Sequence, residues 1–213
     1  MNEKENNYNI EGIRDIGRIN MLLIAANAAV FIIFNIIGST NDPEFMLYHG
    51  AVFTPMVLKQ GAWYTLFTSM FLHFDISHIA NNMIMLAAAG SYVEREMGSI
   101  RYLITYLLAG LGGNILSLYV DLQTMEYAVS AGASGAVFGV TGALLALALK
   151  NRGRVQGLGA PRIIIMIALS LYSGFTSIGV DNWAHVGGLV CGFVIAFLIS
   201  PRKKPEQITV YDE

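Results

Sequence analysis

The chain has 213 residues, of which 54% are hydrophobic and 13% are charged, and its formal net charge is -2. Soluble domains carry about 25% charged residues, so this composition and a mean hydropathy of +0.53 predict a polytopic membrane protein rather than one with a large soluble core. The sequence shows no basic stripe of the kind that binds nucleic acid. The single cysteine, Cys191, excludes an intramolecular disulfide and a cysteine-rich metal site.

Six apolar stretches of about 16 to 22 residues are predicted to cross the hydrocarbon core as helices, which takes about 20 residues. They run from about Ile19 to Ile37, Ile76 to Met97, Tyr102 to Val120, Ala133 to Leu149, Ile163 to Ile178 and Trp183 to Ile199. The first is longer than the apolar region of a signal peptide, and no good small-residue cleavage site follows it. The sequence therefore predicts an all-α bundle of six transmembrane helices, residues 18–200, between polar tails at 1–17 and 201–213.

The basic residues predict how this bundle is oriented. Twelve of the thirteen Lys and Arg residues precede the first span, follow the sixth, or lie between the second and third or the fourth and fifth spans. Only Lys59 lies on the other side. Because basic loops stay in the cytoplasm, both termini are predicted to be cytoplasmic and the segment from Gly38 to about Asp75 to be outside. That segment is rich in apolar residues and contains Trp63 and Tyr64, so we expect it to fold into the outer leaflet or the membrane interface.

Four polar residues within the spans are predicted to lie at one depth. The second, fourth and sixth spans all enter from the outside, which places His78, Asn82, Ser134 and His185 near the same level, below the outer surface. An ionisable histidine in hydrocarbon is costly and indicates a functional site. A serine flanked by glycines, with a histidine on another span, suggests a nucleophile and its base.

The same residues suggest a site that stabilises an oxyanion. His78 and Asn82 are four residues apart, so they share one helix face and can present N–H donors to a common point. Ser134 at a helix start has free backbone N–H groups around it. Together these groups could form an oxyanion hole, and Gly132 and Gly135 permit close approach beside the serine.

Small residues on two spans indicate how Ser134 and His185 could meet. Gly135 and Gly139 on the fourth span, and Gly188 and Gly192 on the sixth, have the small-xxx-small spacing that lets membrane helices pack closely. Close packing would bring the serine hydroxyl within about 3 Å of a nitrogen of the histidine, the distance that proton transfer needs.

Simpler interpretations exist for each residue. A serine in a membrane helix is most often a packing residue, and His185 alone could be a proton relay or a metal ligand in a transporter. His73, His78 and His185 could in principle bind Zn²⁺, but the chain has no HExxH pattern and no carboxylate well placed beside them, so no metal is predicted. Asp181 could orient His185 as a third triad member, although a loop carboxylate near water is the simpler interpretation. Glu94 and its neighbour Arg95 are interpreted as structural ion-pairing groups.

Three motifs resemble those of a known family. The second span carries HFDISHIANNM, the fourth carries GASGAVFG and the sixth carries AHVGGLVCG. In this order and on these helices, they resemble the motifs of the rhomboid intramembrane serine proteases, and the resemblance extends from about Arg18 to Ile199. The family fold that it implies is a six-helix bundle with a membrane-embedded first outer loop.

The resemblance implies roles for individual residues. Ser134 would be the nucleophile and His185 the general base, without a required Asp, while His78 and Asn82 would support the oxyanion. The first histidine of the family pattern falls on His73, which would be more structural. Phe138 stands where the family often has a Tyr on which the catalytic histidine stacks, and it keeps the stacking face while losing the hydroxyl. The outer loop also departs from the family, since Tyr64 follows Trp63 where an Arg is common.

The function implied is an intramembrane serine endopeptidase of a bacterial-type plasma membrane. Its partners would be the lipid bilayer and single-pass or polytopic membrane proteins as substrates, and no cofactor is implied. Two alternatives remain open from the sequence. One is a non-catalytic rhomboid-like protein that binds membrane clients, and the other is a small transporter or proton channel that uses the buried histidines.

Overall fold

Six long helical segments follow one another in the described part of the chain, and each overlaps a stretch predicted to span the membrane. The computed structural model describes residues 16–201, so the predicted tails lie outside the described residues apart from 16, 17 and 201. The helices are, in chain order, α1 (Arg18–Ile37), α2 (Pro43–Tyr48), α3 (Thr54–Gln60), α4 (Thr65–Thr68), α5 (Ile76–Met85), α6 (Ser91–Met97), α7 (Ser99–Thr124), α8 (Ser134–Lys150), α9 (Ala160–Thr176) and α10 (Asn182–Ile199). The predicted all-α architecture is confirmed.

Three helices of the described residues, α1, α7 and α10, are long and apolar enough to cross a membrane by length and composition alone. Helices α8 and α9 are also apolar but have 17 residues each, the lower end of the range that spans hydrocarbon. The remaining span is divided between α5 and α6.

A π turn at Leu86–Gly90 joins α5 to α6, so the second span is one helical path from Ile76 to Met97. The side chain of Asn20 on α1 donates from Nδ2 to the carbonyl oxygen of Leu86, at 2.9 Å, where the helix changes its winding. Gly98 ends the path because its positive φ of 82° is a conformation that glycine adopts without strain. The next helix, α7, begins directly after it.

Helix α8 lies at the centre of the bundle. Twelve of its 17 residues are buried, and its glycines face α10 so closely that side chains there would not fit. A Cβ added to Gly188 would collide with the carbonyl oxygen of Gly135, and one added to Gly192 would collide with that of Gly139. The predicted close packing of the fourth and sixth spans is therefore present, backbone against backbone.

Helix α9 lies at the edge of the bundle. Only four of its 17 residues are buried, and most of its large apolar side chains point outward, which suits a lipid environment. Two short strands, β1 (Arg154–Val155) and β2 (Leu158–Gly159), pair antiparallel in the connection from α8 to α9. The sequence did not predict this hairpin, which is too short to show an alternating pattern.

The segment between α1 and α5 is folded rather than extended. Met46 of α2 packs with Ala51 and Leu72 in one small core, whereas Val57 of α3 and Leu66 of α4 pack with Val52 in a second. Val52 also pairs with Ser130 in an isolated bridge to the loop before α8. Trp63 and Tyr64 remain exposed at 55% and 61%, as expected for aromatic side chains that meet the membrane interface.

A polar network joins α1, α6 and α7 at the end of the bundle away from Ser134. The carboxylate of Glu94, which is 5% exposed, accepts from the backbone N–H groups of Ile19 and Asn20 and from the hydroxyl of Ser99. These bonds satisfy donors at the start of α1, where Gly17 offers no side-chain cap. Glu94 is therefore structural, as predicted, but it acts as a cap on another helix.

Candidate active site

Ser134 is the first residue of α8 and is half-buried. The loop before it is fixed by hydrogen bonds from two backbone N–H groups: Gly132 donates to the carbonyl oxygen of Ser69 at 2.9 Å, and Ala133 donates to Nε2 of His73 at 3.4 Å. Because the first N–H groups of a helix have no intrahelical acceptor, the serine hydroxyl lies among free donors at the positive end of the helix dipole.

Gly132 is the point at which His78 and Ser134 come together. A Cβ added there would lie 2.8 Å from Cε1 and Nε2 of the His78 ring and 3.5 Å from Oγ of Ser134. The backbone at Gly132 also has a φ of +144°, a conformation that other residues rarely adopt. The glycine is thus required both for its backbone angle and for its missing side chain.

Asn82 follows His78 by one turn of α5, as the sequence predicted. It is 6% exposed, and its Nδ2 is buried without a hydrogen-bond acceptor among the described residues. Buried amide groups are nearly always paired, so an unpaired donor on the face that carries His78 is suited to an anion formed by another molecule.

His73 supports the loop before α8. It is 1% exposed, it accepts the Ala133 N–H through Nε2, and its ring meets that of His78 edge to face at 5.0 Å. Burial, and secondly the charge of His78, lower the pKa of His73 from its usual 6.5 to about 3. His73 is therefore neutral at ordinary pH, the state in which Nε2 can accept a hydrogen bond.

His185 lies in the first turn of α10 and is 8% exposed. Its ring stacks on Phe138 with centroids 4.3 Å apart and planes inclined by 16°, which is the contact that the resemblance implies. Phe138 follows Ser134 by one turn of α8, so the stack holds the imidazole beside the helix that begins with the serine. The serine hydroxyl forms no hydrogen bond with His185 or any other described residue, so the hydrogen bond that the sequence predicted between the two is not formed in this structure. Hydrogen bonds between a nucleophile and its base commonly tighten only when substrate binds.

Asp181 is neither a third triad member nor a free loop carboxylate, the two interpretations considered from the sequence. Its Oδ1 accepts from the N–H of Ala184 and caps α10, while its Oδ2 accepts from the hydroxyls of Ser117 and Ser130, both at 2.7 Å. Both carboxylate oxygens are thus used to join α7, the loop before α8 and the start of α10. Sequence reasoning missed Ser117 and Ser130 because nothing in their local pattern marks them as partners.

A metal site does not form among the described residues, where no group of three His, Cys, Asp or Glu side chains is close enough to hold an ion. His73 and His78 are neighbours, but His185 stacks on Phe138 instead of joining them.

Most of the chain is similar in sequence to known proteins. The chain is 39% identical over 175 residues to the Rhomboid protease GluP of Bacillus subtilis (strain 168), a match that covers 82% of this chain and 33% of that protein. It is 36% identical over 157 residues to RHOMBOID-like protein 1 of Arabidopsis thaliana, covering 72% of this chain and 39% of the relative. It is 29% identical over 233 residues to the Rhomboid protease AarA of Providencia stuartii, covering 95% of this chain and 82% of that protein.

The chain therefore covers only about a third of GluP and about two fifths of RHOMBOID-like protein 1. Residues 60–202 also match the Rhomboid domain family, and this range contains His73, His78, Asn82, Ser134 and His185. The family match covers more than half of the chain, and this protein therefore belongs to the rhomboid family of membrane proteins.

Proposed function

We propose that the protein is an intramembrane serine endopeptidase that cuts membrane-anchored proteins near the outer face of a plasma membrane. The observation that carries the proposal is that Ser134 and His78 both lie beside Gly132, while Phe138, one turn after Ser134 on α8, stacks on the ring of His185. Two relatives that are named rhomboid proteases, GluP and AarA, support the same reaction class.

In the proposed first step, Oγ of Ser134 attacks the carbonyl carbon of a peptide bond. A serine hydroxyl is a weak nucleophile until a base removes its proton, and His185 takes that proton as the new C–O bond forms. When the tetrahedral intermediate collapses, the C–N bond breaks and His185 gives the proton to the leaving amine. This leaves an acyl-enzyme ester on Ser134.

The negative charge of the intermediate falls on the former carbonyl oxygen, which needs donors already in place. Three groups are proposed to supply them: Nδ2 of Asn82, the ring of His78 and the backbone N–H of Ser134. The unpaired, buried Nδ2 of Asn82 supports this assignment, since such a group has little other use.

The second step is hydrolysis of the ester. Water attacks the acyl carbon while His185 takes a proton from it, the ester C–O bond breaks, and His185 returns the proton to Oγ of Ser134. Water has to reach Ser134 from the outer face, and the half-buried position of this residue at the start of α8 is suited to that.

The proposed substrates are single-pass or polytopic membrane proteins. A substrate helix hides its carbonyl groups in its own hydrogen bonds, so cutting favours segments that unwind near helix-breaking residues. The orientation follows from the basic residues, which put both termini in the cytoplasm and the start of α8 near the outer face.

The direct test is cleavage of a transmembrane substrate by purified protein in detergent. We expect Ser134→Ala and His185→Ala each to abolish cutting, because each removes a group that reacts. Ser134→Ala should leave Tm little changed, whereas His185→Ala, which removes a buried ring stacked on Phe138, should lower Tm while the protein remains folded. Ser173→Ala is the matched control, since Ser173 is an exposed serine on α9, and it should cut at the wild-type rate.

A serine-directed phosphonate probe adds a second readout. It should label the wild-type protein and the Ser173→Ala variant but not the Ser134→Ala variant. Cutting by the Ser134→Ala variant at the wild-type rate would refute the mechanism. Folded wild-type protein that neither cuts nor labels, but retains membrane clients, would point to the non-catalytic client binder.

A further inference from the structure

Two buried polar atoms at the start of α10 have no hydrogen-bond partner among the described residues, and both lie beside the same glycine. They are Oδ1 of Asn182 and Nδ1 of His185. A Cβ added to Gly174 on α9 would collide with the first and lie 3.5 Å from the second. Buried polar groups are rarely left unpaired, so two unpaired atoms beside one glycine are candidates to pair with each other.

The orientation of the Asn182 amide follows from its other bonds. Its Nδ2 donates to the carbonyl oxygens of Gly174 and Val180, both at 3.2 Å. Both partners are acceptors only, so the nitrogen of the amide has to face them and Oδ1 has to face the other way. An acceptor is thereby presented on the side of Gly174 where Nδ1 of His185 lies.

The two atoms are chemically complementary, since a neutral imidazole that carries its proton on Nδ1 is a donor there and an acceptor at Nε2. Asp181, the carboxylate of the same turn, accepts from Ser117, Ser130 and Ala184 with its two oxygens. Asn182, whose Oδ1 is unpaired among the described residues and lies beside the same glycine as Nδ1, is the acceptor that remains unused.

We infer that Asn182 is a positioning residue for His185. Its Oδ1 accepts the Nδ1–H of the imidazole, after a small rotation of the amide or through one bridging water, and so holds the tautomer whose Nε2 is free to take a proton from Ser134. The tautomer of a histidine is set by the hydrogen bond that its other nitrogen makes. The catalytic consequence rests on the proposed function, whereas the tautomer does not.

The first experiment measures the tautomer itself by nitrogen-15 NMR of histidine-labelled protein in detergent. The chain has four histidines, and His185 is assigned by the signal that the His185→Gln variant loses. In the wild type we expect the proton on Nδ1 of His185. Asn182→Ala should shift the population toward the Nε2–H tautomer, while Asn182→Asp, which keeps an acceptor oxygen, should keep the wild-type pattern.

The second experiment measures turnover of a transmembrane substrate. We expect Asn182→Ala to lower kcat by about 10- to 100-fold with little change in KM, the size found when the partner that orients a metal-bound imidazole is removed. Gly174→Ala should have a similar effect from a different helix, because its methyl group would occupy the space between Oδ1 and Nδ1. Asn182→Asp should retain most of the wild-type kcat, and Ser173→Ala, one residue before Gly174, is the control.

The outcomes separate three cases. If Asn182→Asp loses as much turnover as Asn182→Ala, the amide donor and its bonds to Gly174 and Val180 are what matter, and the inference is wrong. An unchanged tautomer in Asn182→Ala also overturns it. If the tautomer shifts as expected but the wild type does not cut, the positioning role stands and the proposed protease function fails.

Discussion

At the scale of single residues, the two asparagines Asn82 and Asn20 differ in how their amides are used. Asn20 is fully buried and fully bonded: Nδ2 donates to Leu86 and Ser91, and Oδ1 accepts from Tyr102. Asn82 is almost as buried, yet its Nδ2 has no acceptor among the described residues. The first arrangement stabilises the fold, whereas the second carries an uncompensated desolvation cost.

This contrast gives a prediction for Asn82→Ala. Turnover should fall by about 100- to 1,000-fold, the loss expected for one oxyanion donor, with KM little changed. Tm should stay the same or rise, because the variant removes a buried unpaired group. Asn20→Ala is the matched control and should show the opposite pattern, a lower Tm with kcat retained in the folded fraction. A pure rise in KM for Asn82→Ala would remove it from the oxyanion role.

His73 gives a pH-dependent prediction. Its pKa is about 3 in the folded protein, below the usual 6.5, so between these values the unfolded chain binds a proton that the folded protein does not. The contribution of the neutral His73 to the free energy of unfolding is therefore fully present above pH 6.5. It is lost progressively as the pH falls toward 3. Thermal unfolding in detergent should show Tm falling over this window.

In the His73→Gln variant the decline should be shallower, because glutamine can accept the Ala133 N–H but does not titrate in this range. His49→Gln, a histidine in the outer segment, is the control for losing an imidazole elsewhere. Identical slopes for wild type and His73→Gln would show that other groups govern the acid sensitivity.

The residues of the candidate site could be predicted from the sequence because each is polar within an apolar run, and topology assigns each a depth. The position of His78 and Ser134 on either side of Gly132 is consistent with that argument. Ser117 and Ser130 could not be predicted, because a serine in a helix or loop is common and its partner Asp181 is remote in the chain. Long-range side-chain bonds leave no local pattern.

At the scale of elements, the second span contains a change of helix type that its hydrophobic pattern does not predict. Its ends at Ile76 and Met97 were predicted, but the π turn at Leu86–Gly90 was not. The turn is supported by the Asn20 side chain of α1, which donates to the Leu86 carbonyl. Because that support comes from another helix, the sequence of the span gives no sign of it.

The start of α1 likewise depends on a side chain from another helix, Glu94 of α6. Removing this carboxylate should destabilise the start of α1. In Glu94→Ala the N–H groups of Ile19 and Asn20 and the hydroxyl of Ser99 lose their acceptor. The expected cost is about 1–3 kcal/mol, which lowers Tm by several degrees and is measured by thermal unfolding in detergent. Glu44→Ala, an exposed glutamate on α2, should leave Tm unchanged. Equal stability of both variants would contradict the capping role.

At the scale of the whole molecule, the basic residues predict an orientation that labelling can test. In a Cys191→Ala background, which removes the single cysteine, an impermeant maleimide applied to spheroplasts should label Lys59→Cys. It should label Arg152→Cys only after lysis, since the connection from α8 to α9 is predicted to be cytoplasmic. Both positions are exposed, so a difference reports the side of the membrane, and the reverse pattern would invert the topology.

The whole-molecule fold was predictable as six spans because the apolar runs and the alternation of basic loops agree. The contact of α8 with α10 was also foreseen from glycine spacing. The peripheral place of α9 was not, since its apolar sequence is suited equally to a buried helix and to one that faces lipid.

Gly132 has a consequence for recognising active members among related chains. A survey that asks only whether a serine and a histidine are present would count a chain with any residue at this position as competent. Here a single added carbon would meet the His78 ring at 2.8 Å and would also require a backbone angle that only glycine adopts easily. A relative can therefore keep both residues that are proposed to react and still be disabled, and we expect the glycine two positions before the serine to be a third criterion for distinguishing active proteases from inactive relatives.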